Sequence, residues 1–182
     1  GSLVSVACRR PGVGFPVCVG FGGALWVGGG WVSDCGIFHN LETLQCFVER
    51  RKGGESGVRA VQHLAGDAVW KAPWSKELMR AALARGQKIG PGAPEDVTDP
   101  VLCHVESNYG FRASILMRPG LVNEYLSALK VKGKKGPDST LCYIPIENSN
   151  NFSSLTHAIA NMYTTGSLLY PVERTLLTTV PR

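Results

Sequence analysis

Apolar residues recur along this chain at two different periods, and each change of period marks an element. From His39 to Arg51, Leu41, Leu44, Phe47 and Val48 fall at helical spacing while Glu42, Glu49, Arg50 and Arg51 take the other positions. This predicts a helix with one face in a core and a charged face in water. Val58 to Leu64 alternates with the two-residue period of a strand, and Asp67 to Lys71, around Val69 and Trp70, reads as a short strand that pairs with it. Ser75 offers an N-cap to a helix over Lys76 to Arg85, rich in Leu, Met and Ala and closed by Gly86. Gly90 to Pro100 reads as a surface loop.

Strand periodicity returns in the middle of the chain. Val101, Cys103 and Val105 alternate with Leu102, His104 and Glu106; beyond a turn at Asn108-Tyr109-Gly110, Phe111, Ala113, Ile115 and Met117 alternate with Arg112, Ser114 and Leu116. An antiparallel hairpin follows, with one apolar face and one carrying His104, Glu106, Arg112 and Ser114. Tyr125 to Val131 and Leu141 to Ile146 supply two further strands around the basic loop Lys132 to Pro137. Phe152, Leu155, Ile159, Met162 and Tyr163 share one helix face that stops at Gly166. Pro171 opens a last helix, with Glu173 in its first turn and Arg174 assigned to local pairing. Strand, helix, consecutive strands and then helices predict an α+β fold: a mostly antiparallel open sheet with helices packed on one face, the second face left to water or a partner.

Composition narrows the class. At 182 residues, 44% hydrophobic and 18% charged, the chain reads as one globular domain over 1–182, with Gly1 and Ser2 as an expression scar. Its net charge of +5 is spread out except at Arg50 to Lys52 and Lys130 to Lys135, and those clusters lack interleaved aromatic platforms, which argues for a solvated surface and against a nucleic-acid partner. Pro11 to Ser33 carries no charge, but its glycines and the alternation of Val17, Val19 and Phe21 favour a strand running into a glycine-rich loop over a membrane span. The six cysteines are scattered without a C-x-x-C pair, which argues against a zinc site and for a reducing, cytoplasmic setting.

The residues with the most chemistry stand where the glycines meet the first helix. Gly28, Gly29 and Gly30 precede Asp34, Gly36 and His39. A histidine of ordinary pKa can relay a proton to an alcohol or carbonyl; equally, His39 can cap its helix or bond a neighbouring carbonyl. Asp34 orients the imidazole, binds a substrate hydroxyl, or completes an Asx-turn. Arg50 and Arg51, with Lys52, hold an anion or form a solvated helix end. A dinucleotide fingerprint is missing: Gly20-Phe21-Gly22 continues as Gly23-Ala24-Leu25, without the third glycine or a helical pattern.

The run Gly28-Gly29-Gly30, Asp34, Gly36, His39 resembles the signature that opens the second domain of the glucose-fructose oxidoreductase / inositol dehydrogenase (Gfo/Idh/MocA) family. His39 to Ala72 and Tyr170 to Thr179 (YPVERTLLTT) look closer still to uncharacterised predicted dehydrogenases of that group. The similarity spans Gly20 to Val180 with one departure: four residues separate Asp34 from His39 where the family usually has three. The resemblance implies the second domain of a two-domain oxidoreductase acting on a sugar, inositol or other polyol. NAD or NADP, and the usual catalytic lysine, would belong to an N-terminal Rossmann domain that this sequence does not contain. The open sheet face would join a homo-oligomer such as a dimer, and the chain would not transfer hydride alone. His39 becomes the catalytic candidate and Asp34, Arg50 and Arg51 the substrate-binding candidates; no metal and no membrane partner are expected. A reading of another class stays open, a non-catalytic interaction or scaffold domain that retains the fold, favoured by the extra residue before His39 and by the glycine-rich run Ala24 to Val32.

Overall fold

A computed structural model describes residues 21–28, 34–49, 55–96, 98–143, 150–168 and 170–179. In it the glycine-rich, uncharged stretch forms the centre of a sheet. Strand β1 (Phe21–Gly28) runs parallel to β4 (Arg112–Met117) on one side and antiparallel to β5 (Tyr125–Val131) on the other. A strand covered on both faces needs small and apolar residues at every position, which Ala24, Leu25, Trp26 and Val27 supply, all buried. The sequence reading began the strand earlier and gave Ala24 onward to a loop. The strand instead occupies that loop, while Val17 and Val19 lie outside the described residues.

Among the described residues the sheet has six strands in the order β2-β3-β4-β1-β5-β6, with β2 at Val58–Ala65, β3 at Val101–Ser107 and β6 at Asp138–Cys142. Every pair except β1/β4 is antiparallel, so the fold is α+β with a mostly antiparallel open sheet, as the element order predicts. The hairpin β3–β4 keeps the expected register, from Val101 opposite Met117 to Glu106 opposite Arg112. Its turn closes at Gly110, whose φ of 76° suits glycine and whose N–H reaches the Ser107 carbonyl at 2.9 Å. β6 starts at Asp138 rather than Leu141, extending the pairing with β5; Ile146 lies outside the described residues.

Helices cover the sheet from both sides. Helix α1 (Asp34–Val48) begins at Asp34, more than a turn before His39, and seats Leu41, Leu44, Phe47 and Val48 against Trp26, Cys103 and Ile115. Asp67–Lys71, expected as a strand, is the short helix α2. Gly66, at φ 58°, turns the chain out of β2, and Val69 then points into a core instead of pairing. Helix α3 (Lys76–Leu83) follows, with Ser75 Oγ accepting from Leu78 N at 3.2 Å as the predicted cap. Leu78, Met79 and Ala82 pack on the opposite sheet face, against Leu25, Val27, Leu116 and Leu126. One helix-covered face was expected; the second carries α3 because alternate residues of β1, β3 and β4 are apolar too, as Leu25, Leu102 and Leu116 show. That face remains open beside β2, an edge strand exposed from Arg59 to His63.

Two C-terminal helices behave differently. The apolar stripe of α4 (Asn150–Thr165) is uncovered, with Phe152, Ile159 and Tyr163 exposed, and the helix ends before Gly166 at φ 67°. Helix α5 (Arg174–Thr179) docks on α1.

Candidate functional site

The parallel pairing of β1 and β4 brings the carboxyl ends of both strands, Gly28 and Met117, side by side. Arg118 N donates to the Gly28 carbonyl at 3.1 Å and ties the two ends together. Gly28 has a packing role here, because a Cβ on it would overlap the Asn40 side-chain amide. Asn40 is fully buried; its Nδ2 donates to the Gly36 carbonyl at 2.9 Å and to Met117 Sδ at 3.4 Å. Neither contact was read from the sequence, where Asn40 showed only as a polar residue after a histidine.

This seating fixes His39 on the adjacent helix position. His39 is half-buried, with its ring tilted against Phe38 at 5.6 Å, its carbonyl accepting from Thr43 Oγ1 at 2.9 Å, and its Nδ1 enclosed without a hydrogen-bond partner. It does not cap the helix, since α1 starts a full turn earlier. Burial holds its pKa below the ordinary value, with the Glu42 carboxylate opposing in part, so the neutral imidazole is favoured. Cys35 lies one turn back on the same helix face and is exposed. The Tyr125 phenol nearby is pushed up by burial and by the Cys35 thiol.

The next turns of that face are closed by α5. Arg174 Nη1 and Nε bond Glu42 Oε2 at 2.9 Å and Glu49 Oε2 at 2.7 Å, Nη2 reaches the Glu42 carbonyl at 3.2 Å, and Thr178 Oγ1 donates to Glu42 Oε1 at 2.6 Å. Burial disfavours the Arg174 charge, but Cys46, Glu42 and Glu49 around it outweigh that effect and keep it protonated. Both carboxylate oxygens of Glu42 are engaged and only 1% of the residue is exposed, so it is a structural anchor. The sequence reading placed Glu42 and Glu49 in water and Arg174 in local pairing. Both are corrected here, because α5 returns to cover the helix face that periodicity alone leaves to solvent.

Asp34 is the first residue of α1, not part of a preceding loop. Arg50 and Arg51 lie outside the described residues.

The polar side of the hairpin does form the expected cluster. Ser114 Oγ and His104 Nδ1 are 2.9 Å apart, and Glu106 pairs with Arg59 at 3.3 Å and Arg112 at 3.4 Å. Burial, then the Arg112 charge, lowers the His104 pKa. His39 and His104 thus both have folded pKa values below the unfolded value of about 6.5, so the unfolded chain binds their protons more readily. Their contribution to stability is complete above that pH and is lost as the pH falls through the folded values. Thermal melts between about pH 7 and about pH 5 should show a declining Tm that flattens in a His39→Gln/His104→Gln variant; parallel profiles would assign the decline to other groups.

At the end of β1 the Asn40 amide fills the space beside Gly28 that a side chain or ligand atom would need. No group of three or more His, Cys, Asp or Glu among the described residues is placed to hold a metal ion. Nor is any helix among them long and apolar enough to cross a membrane. A cleft of about 570 Å³ opens between α1 and α5, lined by Gln45, Glu49, Glu55, Tyr170, Glu173 and Leu177. Comparison with known protein families, curated proteins and solved structures finds no significant match to this chain.

Proposed function

We propose that this chain is the substrate-binding and oligomerisation domain of a cytoplasmic NAD(P)-dependent oxidoreductase of the glucose-fructose oxidoreductase / inositol dehydrogenase type, acting on a sugar, polyol or similar hydroxylated substrate. One observation carries the reading: the two stretches that resemble that family, far apart in sequence, pack on each other. Arg174 and Thr178 of the second hold Glu42 of the first, less than a turn from His39. In this reading a domain outside this sequence binds NAD or NADP, and the half-buried, neutral His39 takes or returns the substrate hydroxyl proton. The uncovered sheet face beside β2 joins a second copy of the chain.

A non-catalytic scaffold domain is the second reading, and His39 also supplies its argument. A relay histidine is ordinarily oriented by a hydrogen bond to its other nitrogen, and Nδ1 here has none.

Titration of the chain with myo-inositol, glucose, NAD(H) and NADP(H) by calorimetry separates the two. The dehydrogenase reading expects polyol or sugar binding that weakens at least about tenfold in His39→Ala, a loss of about 1.4 kcal/mol, with no nucleotide binding by the chain itself. Binding unchanged in His39→Ala would remove His39 from the site, no sugar binding would favour the scaffold, and tight nucleotide binding would overturn the domain assignment.

A further inference from the structure

We propose that Lys76 and Arg118 form a binding site for a small oxyanion, a phosphoryl or carboxylate group, at the N terminus of α3 on the sheet face away from His39. Arg118 follows β4 directly and is 1% exposed, yet its Nε, Nη1 and Nη2 are all enclosed and none has a hydrogen-bond partner. Lys76 Nζ is likewise enclosed without an acceptor. Both cations meet the Trp70 ring: the Arg118 guanidinium stands 5.0 Å and Lys76 Nζ 4.6 Å from its centre, and Lys76 Nζ also lies 3.3 Å from that of Trp74.

Ring faces attract these charges but accept none of their N–H groups in a hydrogen bond of normal strength. Unpaired buried charge is among the most unfavourable arrangements a fold can hold, and two such cations on one ring call for an anion between them. The acidic turn Pro94–Asp96 lies close by without satisfying them. Glu95 acts through space on both cations and Asp96 on Arg118, but neither bonds them, and the Asp96 carboxylate accepts from Ala93 N at 3.3 Å. Lys76 is the first residue of α3, whose first turn presents N–H groups beyond the one that Ser75 caps. Ser75 and Glu77 on either side are exposed, which puts the mouth of the site at the helix start. A planar guanidinium, an ammonium and free helix N–H donors gathered beside Trp70 suit a compact anion with several oxygens.

The test is a titration of the chain with inorganic phosphate and, separately, with succinate against chloride at matched ionic strength, read by tryptophan fluorescence and Tm. A saturable change with one of them is expected, and the one that saturates identifies the group as phosphoryl or carboxylate. Arg118→Met should abolish the response while leaving the anion-free Tm at or above that of the unsubstituted chain. Arg118→Lys, which keeps the charge, should weaken binding at least about tenfold. No saturable response, or an equal response in Arg118→Met, overturns the proposal. So does a Glu95→Gln/Asp96→Asn variant with a lowered anion-free Tm and unchanged anion titration, which would make the chain's own acidic turn the partner of these cations.

Discussion

Arg174→Ala is expected to destabilise the fold by about 3–5 kcal/mol, because it leaves the Glu42 carboxylate buried without its counter-charge. The loss exceeds that of an ordinary ion pair. Arg174 Nη1, Nη2 and Nε hold Glu42 and Glu49 together, and only 4% of the Arg174 side chain meets solvent. Thr178 still bonds Glu42 Oε1 in the variant, but a hydroxyl does not neutralise the charge. Denaturant melts measure the cost directly. Replacing the three together, as Glu42→Gln/Glu49→Gln/Arg174→Met, should recover most of it, since removing a buried charge cluster as a unit is far less damaging than breaking it. A loss below about 1 kcal/mol in Arg174→Ala would mean that the pair is open to water and contributes as a surface bridge does.

Trp26→Ala should cost a similar amount, about 3–5 kcal/mol, by leaving a cavity in the central strand. Trp26 is fully buried, and the Phe47 ring of α1 meets it edge-on at 5.3 Å and 61°. Losing that ring loosens both the sheet centre and the seating of the helix that carries His39. With total stability of the usual order, about 5–15 kcal/mol, the variant should show a substantially lower denaturation midpoint. Trp26→Phe should cost much less, about 1–2 kcal/mol, because Nε1 has no hydrogen-bond partner to lose and most of the ring volume is kept. Equal losses in the two variants would point to an unrecognised contact of the indole nitrogen.

The elements that sequence periodicity identified well are those whose signal is local. The β3–β4 hairpin follows from two alternating runs around Asn108-Tyr109-Gly110, and the start of α3 from Ser75, because strand period, turn chemistry and capping depend on neighbours in the chain. The misread segments have local signals that point the wrong way. Glycines in β1 looked like a loop, but in a strand buried on both sides they fit the close approach of α1, as Asn40 against Gly28 shows. Asp67–Lys71 is too short for its period to distinguish helix from strand, and the positive φ at Gly66 decides the matter. For the candidate site, the sequence singled out His39 by residue type and resemblance, but offered no sign of Asn40, Arg118 or the Glu42–Arg174 anchor.

By itself, the sequence determined the α+β class, the hairpin, the cap of α3 and the polar ladder of His104, Glu106, Arg112 and Ser114, since each needs only the order of residues along a few turns or one turn-linked strand pair. Tertiary structure alone decided that α5 closes over α1, that Glu42 is buried, and that Lys76 and Arg118 meet at one tryptophan. Periodicity tells which side of a helix is polar. What covers that side is set by residues elsewhere in the chain, here 132 positions away, whose approach depends on the packing of the whole domain.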